Sequence, residues 1–216
     1  MKKRLRLGLG GAVMLFAMMI GNGVFCGAIY FFAALWHECG HILAARRMGI
    51  GIREVRFDFS GARLILEERM LSYGQEIRLA LCGPLFNLVG VSVACAMLPL
   101  FRGSFSEIWG RGEPLFSGEI DLRGALIFFA LSSLAQAVTN LLPVSSFDGG
   151  RVLYCLLARW VGEGIASRVL SITSLFSVFL LWSMALYLML RISAGLGVYV
   201  FAVCIFFSTA HDSDLL

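Results

Sequence analysis

Two of the chain's three histidines stand four apart in His37-Glu38-Cys39-Gly40-His41, an HExxH spacing inside an otherwise apolar run. On a helix, residues i and i+4 share one face, so the two imidazoles can hold one metal ion. Neutral imidazole suits zinc. Zinc lowers the pKa of a coordinated water to about 7, and Glu38, next to one ligand, can take that proton. The competing account is a pair of helix-end histidines with a glutamate reaching for the interface. Ionisable groups at membrane depth are costly, and three within one turn favour a metal site.

A catalytic zinc normally has three protein ligands and one open position, so one ligand is missing. His211 lies close to residue 216 and after the last apolar run, and Cys39 points off the shared face. Away from the polar segment and the tails, Glu38, Asp148 and Glu163 are the acids near the same membrane edge. Asp148 sits in Asn140-Leu141-Leu142-Pro143-Val144-Ser145-Ser146-Phe147-Asp148-Gly149-Gly150. Pro143 stops a regular helix, and the two glycines permit a sharp turn. Taken alone, this reads as a loop with Asp148 capping the next helix. Set beside an incomplete zinc site, it reads as the third ligand.

The elements that must position these groups are membrane spans. The chain has 216 residues, 59% hydrophobic and 15% charged, with a mean hydropathy of +0.84. Soluble domains carry roughly 25% charged residues. An ordinary soluble globule and a polar disordered chain are both excluded. At roughly 20 apolar residues per span, the length suits about six transmembrane helices. We read spans at 7–20, 24–45, 77–101, 122–142, 165–190 and 192–207, with a short helix at 152–160. The expected fold is an all-α polytopic membrane protein forming a single domain over 1–216. The basic start ahead of an apolar run is like a signal peptide, but no small-residue cleavage site follows it, so the first span is read as retained.

Of the 18 Lys and Arg residues, only Arg102, Arg111, Arg123 and Arg191 fall in segments on one side, which leaves 14 on the other. The positive-inside rule then puts both termini and the HExxH end of the second span in the cytoplasm of a multi-pass cell-membrane protein. The basic residues are spread along the chain, with no nucleic-acid footprint. The six cysteines lie in or beside apolar runs and form no CxxC pair, as small buried hydrophobes do.

From Ile52 to Leu66 the period changes. Val55, Phe57 and Phe59 alternate with Arg56 and Asp58, and Leu64 and Leu66 alternate after Ser60-Gly61. This predicts a small membrane-associated β-hairpin, either lying on the membrane surface or offering an edge strand to an extended substrate.

With HECGH on the second span and NLLPVSSFDGGR after the fourth, the chain resembles the site-2 protease family of intramembrane zinc metalloproteases. Gly83-Pro84-Leu85-Phe86-Asn87 on the third span is similar to that family's GPxxN element. The six-span layout resembles the bacterial branch that processes a sporulation sigma-factor precursor. The three motifs follow the family's order between about residues 30 and 155. The resemblance implies that His37, His41 and Asp148 bind one Zn2+, that Glu38 is the general base, and that the substrate is a membrane protein cut in or near a transmembrane segment. It also implies that Asn87 and Asn140 border the site and bind substrate backbone. Read from the residues alone, each asparagine equally suits a helix–helix hydrogen bond. Gly27, Gly40, Gly83 and Gly90 are expected to permit close helix packing.

The chain departs from the family in Ser145-Ser146, where relatives often have proline, and is expected to carry no PDZ or nucleotide-sensing domain. The expected partners are the lipid bilayer, the membrane-protein substrate and a membrane regulatory protein. A membrane zinc transporter would need more polar ligands along the spans and often a repeat, and neither is present in the sequence. A non-catalytic scaffold would have no use for Glu38 beside two histidines.

Overall fold

A computed structural model describes residues 4–7, 24–58, 61–66, 71–101 and 122–192. The spans expected at 7–20 and 192–207, and His211, lie outside or almost wholly outside them. The described residues are mostly helical, with a small sheet. The order is β1 (Arg4–Leu7), α1 (Val24–Arg47), β2 (Ile52–Asp58), β3 (Gly61–Leu66), α2 (Tyr73–Met97), α3 (Leu122–Asn140), α4 (Asp148–Val161) and α5 (Glu163–Ile192).

Among the described residues, three helical stretches are long and apolar enough to cross a membrane: Tyr73–Leu100, Leu122–Asn140 and Glu163–Tyr187. In α1 the polar groups of His37, Glu38 and His41 interrupt the apolar run. On α5, Ile172, Leu175, Phe176 and Phe179 are each about two-thirds or more exposed, which suits lipid far better than water.

α2 begins four residues before the apolar run expected at 77. Ser72 accepts the Gln75 N–H at its hydroxyl, and the Gln75 side chain accepts the Ser72 N–H at 3.0 Å. This reciprocal capping box satisfies two amide groups at the helix start. α2 then packs on α1, α3 and α4. Where its first turns meet the end of α1, Ala44, Ala45, Ile50 and Leu79 form a buried cluster. At the opposite end Arg123 of α3 donates to the carbonyl of Phe101 at 2.8 Å, just beyond the turn that ends α2. α1, α2 and α3 therefore run up, down and up, and the HExxH turn, the start of α2 and the end of α3 share one end.

β2 and β3 pair antiparallel, from Ile52 opposite Leu66 to Asp58 opposite Gly61, with an irregularity between Ile52 and Glu54. β1 adds parallel to the other side of β2, with Arg4 opposite Glu54 and Leu7 opposite Phe57. The sequence predicts no strand at Arg4–Leu7, the basic start ahead of the first apolar run. Its partner strand lies some fifty residues away, and a four-residue strand carries no period of its own.

Candidate active site

His37, Glu38 and His41 are all buried on α1. The Nε2 atoms of His37 and His41 are 3.1 Å apart. Asp148 brings Oδ2 to 3.1 Å from His37 Nε2 and 3.2 Å from His41 Nε2. Three donor atoms from two helices thus form a nearly equilateral triangle. Ligands about 2.0–2.1 Å from a tetrahedral zinc lie about 3.3 Å from one another, so the triangle matches one face of such a site.

The outer ring nitrogens are held as well. His41 Nδ1 donates to the carbonyl of Leu79 at 2.9 Å. Asn87, wholly buried on α2, places its side-chain nitrogen 3.2 Å from His37 Nδ1 and leaves its oxygen unpartnered. Oxygen and nitrogen of an amide are assigned from the hydrogen-bond network: exchanging them pairs the oxygen with His37 Nδ1–H, which then donates to it. Both Nε2 lone pairs then point into the triangle. Such partners on the far side of the ring fix the tautomer of metal-binding histidines.

The space in front of the nitrogens is kept open by Gly83. A Cβ there would overlap Nε2 of both His37 and His41, so a side chain would fill the place a metal ion needs. The crossing is close on the other side too, since a Cβ on Gly40 would strike the backbone of Cys82 and the Cβ of Phe86. The sequence reading expected Gly83 only as a packing glycine.

Glu38 completes the group. One donor atom from each of His37, Glu38 and His41 lies within 4.8 Å of the others. Glu38 Oε2 is buried without a hydrogen-bond partner. An unpaired buried carboxylate oxygen is costly, which is the state expected of a group reserved for a ligand or a proton. The converging donors, the open cradle at Gly83 and this orphaned oxygen together fit a zinc ion.

Asp148 reaches the triangle from the first turn of α4, not from a flexible turn. The short helix expected at 152–160 begins at Asp148, and its N-cap residue is Phe147 with no side-chain cap. A Cβ on Gly149 would strike the carbonyls of Leu141 and Leu142, and one on Gly150 would strike the carbonyl of Val144. The two glycines let the start of α4 lie directly on the preceding loop. Asn140 is half-buried at the last residue of α3. Glu163, the other acid considered as a ligand, accepts the Tyr73 hydroxyl at 2.8 Å at an exposed end of the helices.

Residues 117–184 match the family model for Peptidase family M50. A zinc metalloprotease of Methanocaldococcus jannaschii is 25% identical over 147 residues, which are 67% of this chain and 38% of that protein. A Synechocystis protein described as a candidate zinc metalloprotease is 28% identical over 152 residues, 68% of this chain and 36% of its own. Rip3 of Mycobacterium tuberculosis, described in the same way, is 25% identical over 163 residues, 76% of this chain and 35% of its own. The chain thus spans little more than a third of these relatives' length. Among solved structures, the site-2 protease from Methanocaldococcus jannaschii aligns with a TM-score of 0.62 at 19% identity, covering 96% of this chain and 89% of that one. The fold is therefore like that of this site-2 protease, and the matched sequence is similar to segments of zinc metalloproteases.

Proposed function

We propose that the chain is an intramembrane zinc endopeptidase that hydrolyses peptide bonds in or near transmembrane segments of other membrane proteins. The observation that carries this reading is the triangle of His37, His41 and Asp148 with the unpartnered Glu38 oxygen beside it. His37, His41 and Asp148 would hold one zinc ion. The ion supplies Lewis acidity, which acidifies water and polarises a carbonyl. Glu38 accepts the proton of the attacking water at its free oxygen and delivers it to the departing amide nitrogen. Asn87 and Leu79 keep both imidazoles turned inward. Asn87 on this reading orients a ligand and does not touch the substrate, whereas Asn140, the last residue of α3, would bind substrate backbone. A substrate helix must unwind locally, because its carbonyls are otherwise engaged in i to i−4 bonds.

A zinc transporter would have no use for an unpaired carboxylate buried beside its ligands. The deciding experiment reconstitutes the chain in liposomes with single-span reporter fusions. We expect cleavage that stops on chelation and returns with zinc. Zinc flux across the vesicle without cleavage would favour the transporter.

The site end of the helices carries Arg46 and Arg47 in the last turn of α1 and Arg159 in the last turn of α4, which supports a cytoplasmic location in the cell membrane. With native cysteines removed, a cysteine at exposed Val161 should label from the cytoplasm and one at exposed Leu100 from outside. Labelling of both from one side would refute that orientation. The resemblance of the six-span layout read from the sequence to the sporulation branch is what suggests a sigma-factor precursor as substrate and a membrane protein as regulator. Co-expression with such a precursor tests the former.

A further inference from the structure

We propose that Ser174 on α5 is a positioning residue for Asp148, fixing the loop that carries this ligand into the triangle. The inference rests on Asp148 being a zinc ligand.

The loop before Asp148 has little regular structure; Val144 and Phe147 are buried, and Leu142, Pro143, Ser145 and Ser146 between Leu141 and Asp148 are half-buried. Within it, Val144 N–H reaches back to the Leu142 carbonyl at 2.8 Å, a tight turn about Pro143, and Phe147 N–H bonds the Val144 carbonyl at 2.9 Å. The Pro143 carbonyl and the Ser145 N–H are among the loop groups that make no backbone hydrogen bond among the described residues. Irregular backbone at membrane depth is tolerated only where protein or water satisfies it. A single side chain meets both of these groups. Ser174 accepts the Ser145 N–H at 2.9 Å and donates to the Pro143 carbonyl at 3.4 Å. A hydroxyl, with one donor and two lone pairs, can do both at once.

The same face of α5 continues the grip. Val178, one turn beyond Ser174, packs with wholly buried Val144 and with Phe147, and Leu181 and Leu142 flank them. Phe147 is the residue before Asp148. On the other side, α4 presses on the loop carbonyls through Gly149 and Gly150. The loop is clamped between α4 and α5, and Ser174 supplies the polar part of the clamp. The apolar contacts resist separation but allow sliding. The paired hydrogen bonds fix the loop along α5, and hence the reach of Asp148.

The test measures zinc transfer to a chelator from purified, detergent-solubilised variants, together with the visible spectrum of the cobalt-substituted protein. Groups that orient metal ligands typically change metal affinity by about 10–100-fold. Ser174→Ala should release zinc at least tenfold faster than wild type and alter the cobalt spectrum. Ser171→Ala, which removes an exposed hydroxyl one turn earlier on α5, should match wild type. Asp148→Asn serves as the reference for a lost ligand. If Asp148→Asn releases zinc quickly while Ser174→Ala matches wild type in rate and spectrum, the role given to Ser174 is overturned alone. Wild-type retention in both overturns the ligand reading and this inference with it. A Ser174→Ala protein that melts lower but holds zinc as wild type would also overturn it, by showing a purely structural role. If that variant does not fold, Ser174→Cys keeps the volume but bonds weakly. It should release zinc several-fold faster, and an unchanged rate overturns the proposal.

Discussion

Glu38→Gln is expected to bind zinc normally and to lose peptide hydrolysis by a factor of about 10²–10⁴, the usual contribution of a positioned general base. The reason lies in how the turn divides its tasks. The triangle is closed by His37, His41 and Asp148, so Glu38 is not needed to complete it. Its Oε2 makes no hydrogen bond, so replacing the carboxylate breaks no network. Glutamine nearly conserves the volume and removes the basicity. Zinc content by elemental analysis, cleavage of a single-span reporter and thermal melting together make the test. Normal zinc, normal melting and absent cleavage are the expected set. Full activity would remove Glu38 from the mechanism, and lost zinc would make it a ligand in place of Asp148.

What was legible in the sequence was what covalent spacing fixes. Histidines four apart must share a helix face, so His37 and His41 pair whatever surrounds them. Pro143 must end a regular helix, and α3 ends at Asn140, two residues before the boundary expected at 142. Asp148 was reached by counting ligands, and the structure brings it to both imidazoles. What was hidden depends on how helices cross. Gly83 and Asn87 lie on α2, and nothing in the local pattern says which of its faces meets the two histidines. Asn87 therefore read equally well as a packing hydrogen bond or a substrate contact. Gly149-Gly150 read as a turn because glycine costs about 1 kcal/mol in a helix relative to alanine. That cost is met because backbone must touch backbone there, and α4 starts four residues earlier than expected. Ser174 carried no signal at all, since its partners are backbone atoms about thirty residues away.

Gly83→Ala should abolish zinc binding while leaving the chain inserted in the membrane. The added methyl would overlap Nε2 of both His37 and His41, and three escapes are available to the protein. The imidazoles can rotate away, but His41 is held by the Leu79 carbonyl and His37 by Asn87. Rotation breaks those bonds and turns the lone pairs out of the triangle. α2 can slide away from α1, but then Leu79 and Asn87 move with it and release the same rings. Alternatively α1 can move back from α2, but that draws His41 and His37 away from Leu79 and Asn87 and breaks the same bonds. Every route that admits the methyl dismantles the donor set, although none removes a ligand or a charge. The outcome should therefore differ from Asp148→Asn, which deletes one donor and leaves two. Zinc content of purified Gly83→Ala is expected at background, with helical circular dichroism close to wild type. Gly74→Ala, where a Cβ meets nothing within 4 Å, should keep full zinc. Stoichiometric zinc in Gly83→Ala would show that the ion does not sit against this glycine, and the triangle would lose its claim to be the metal site.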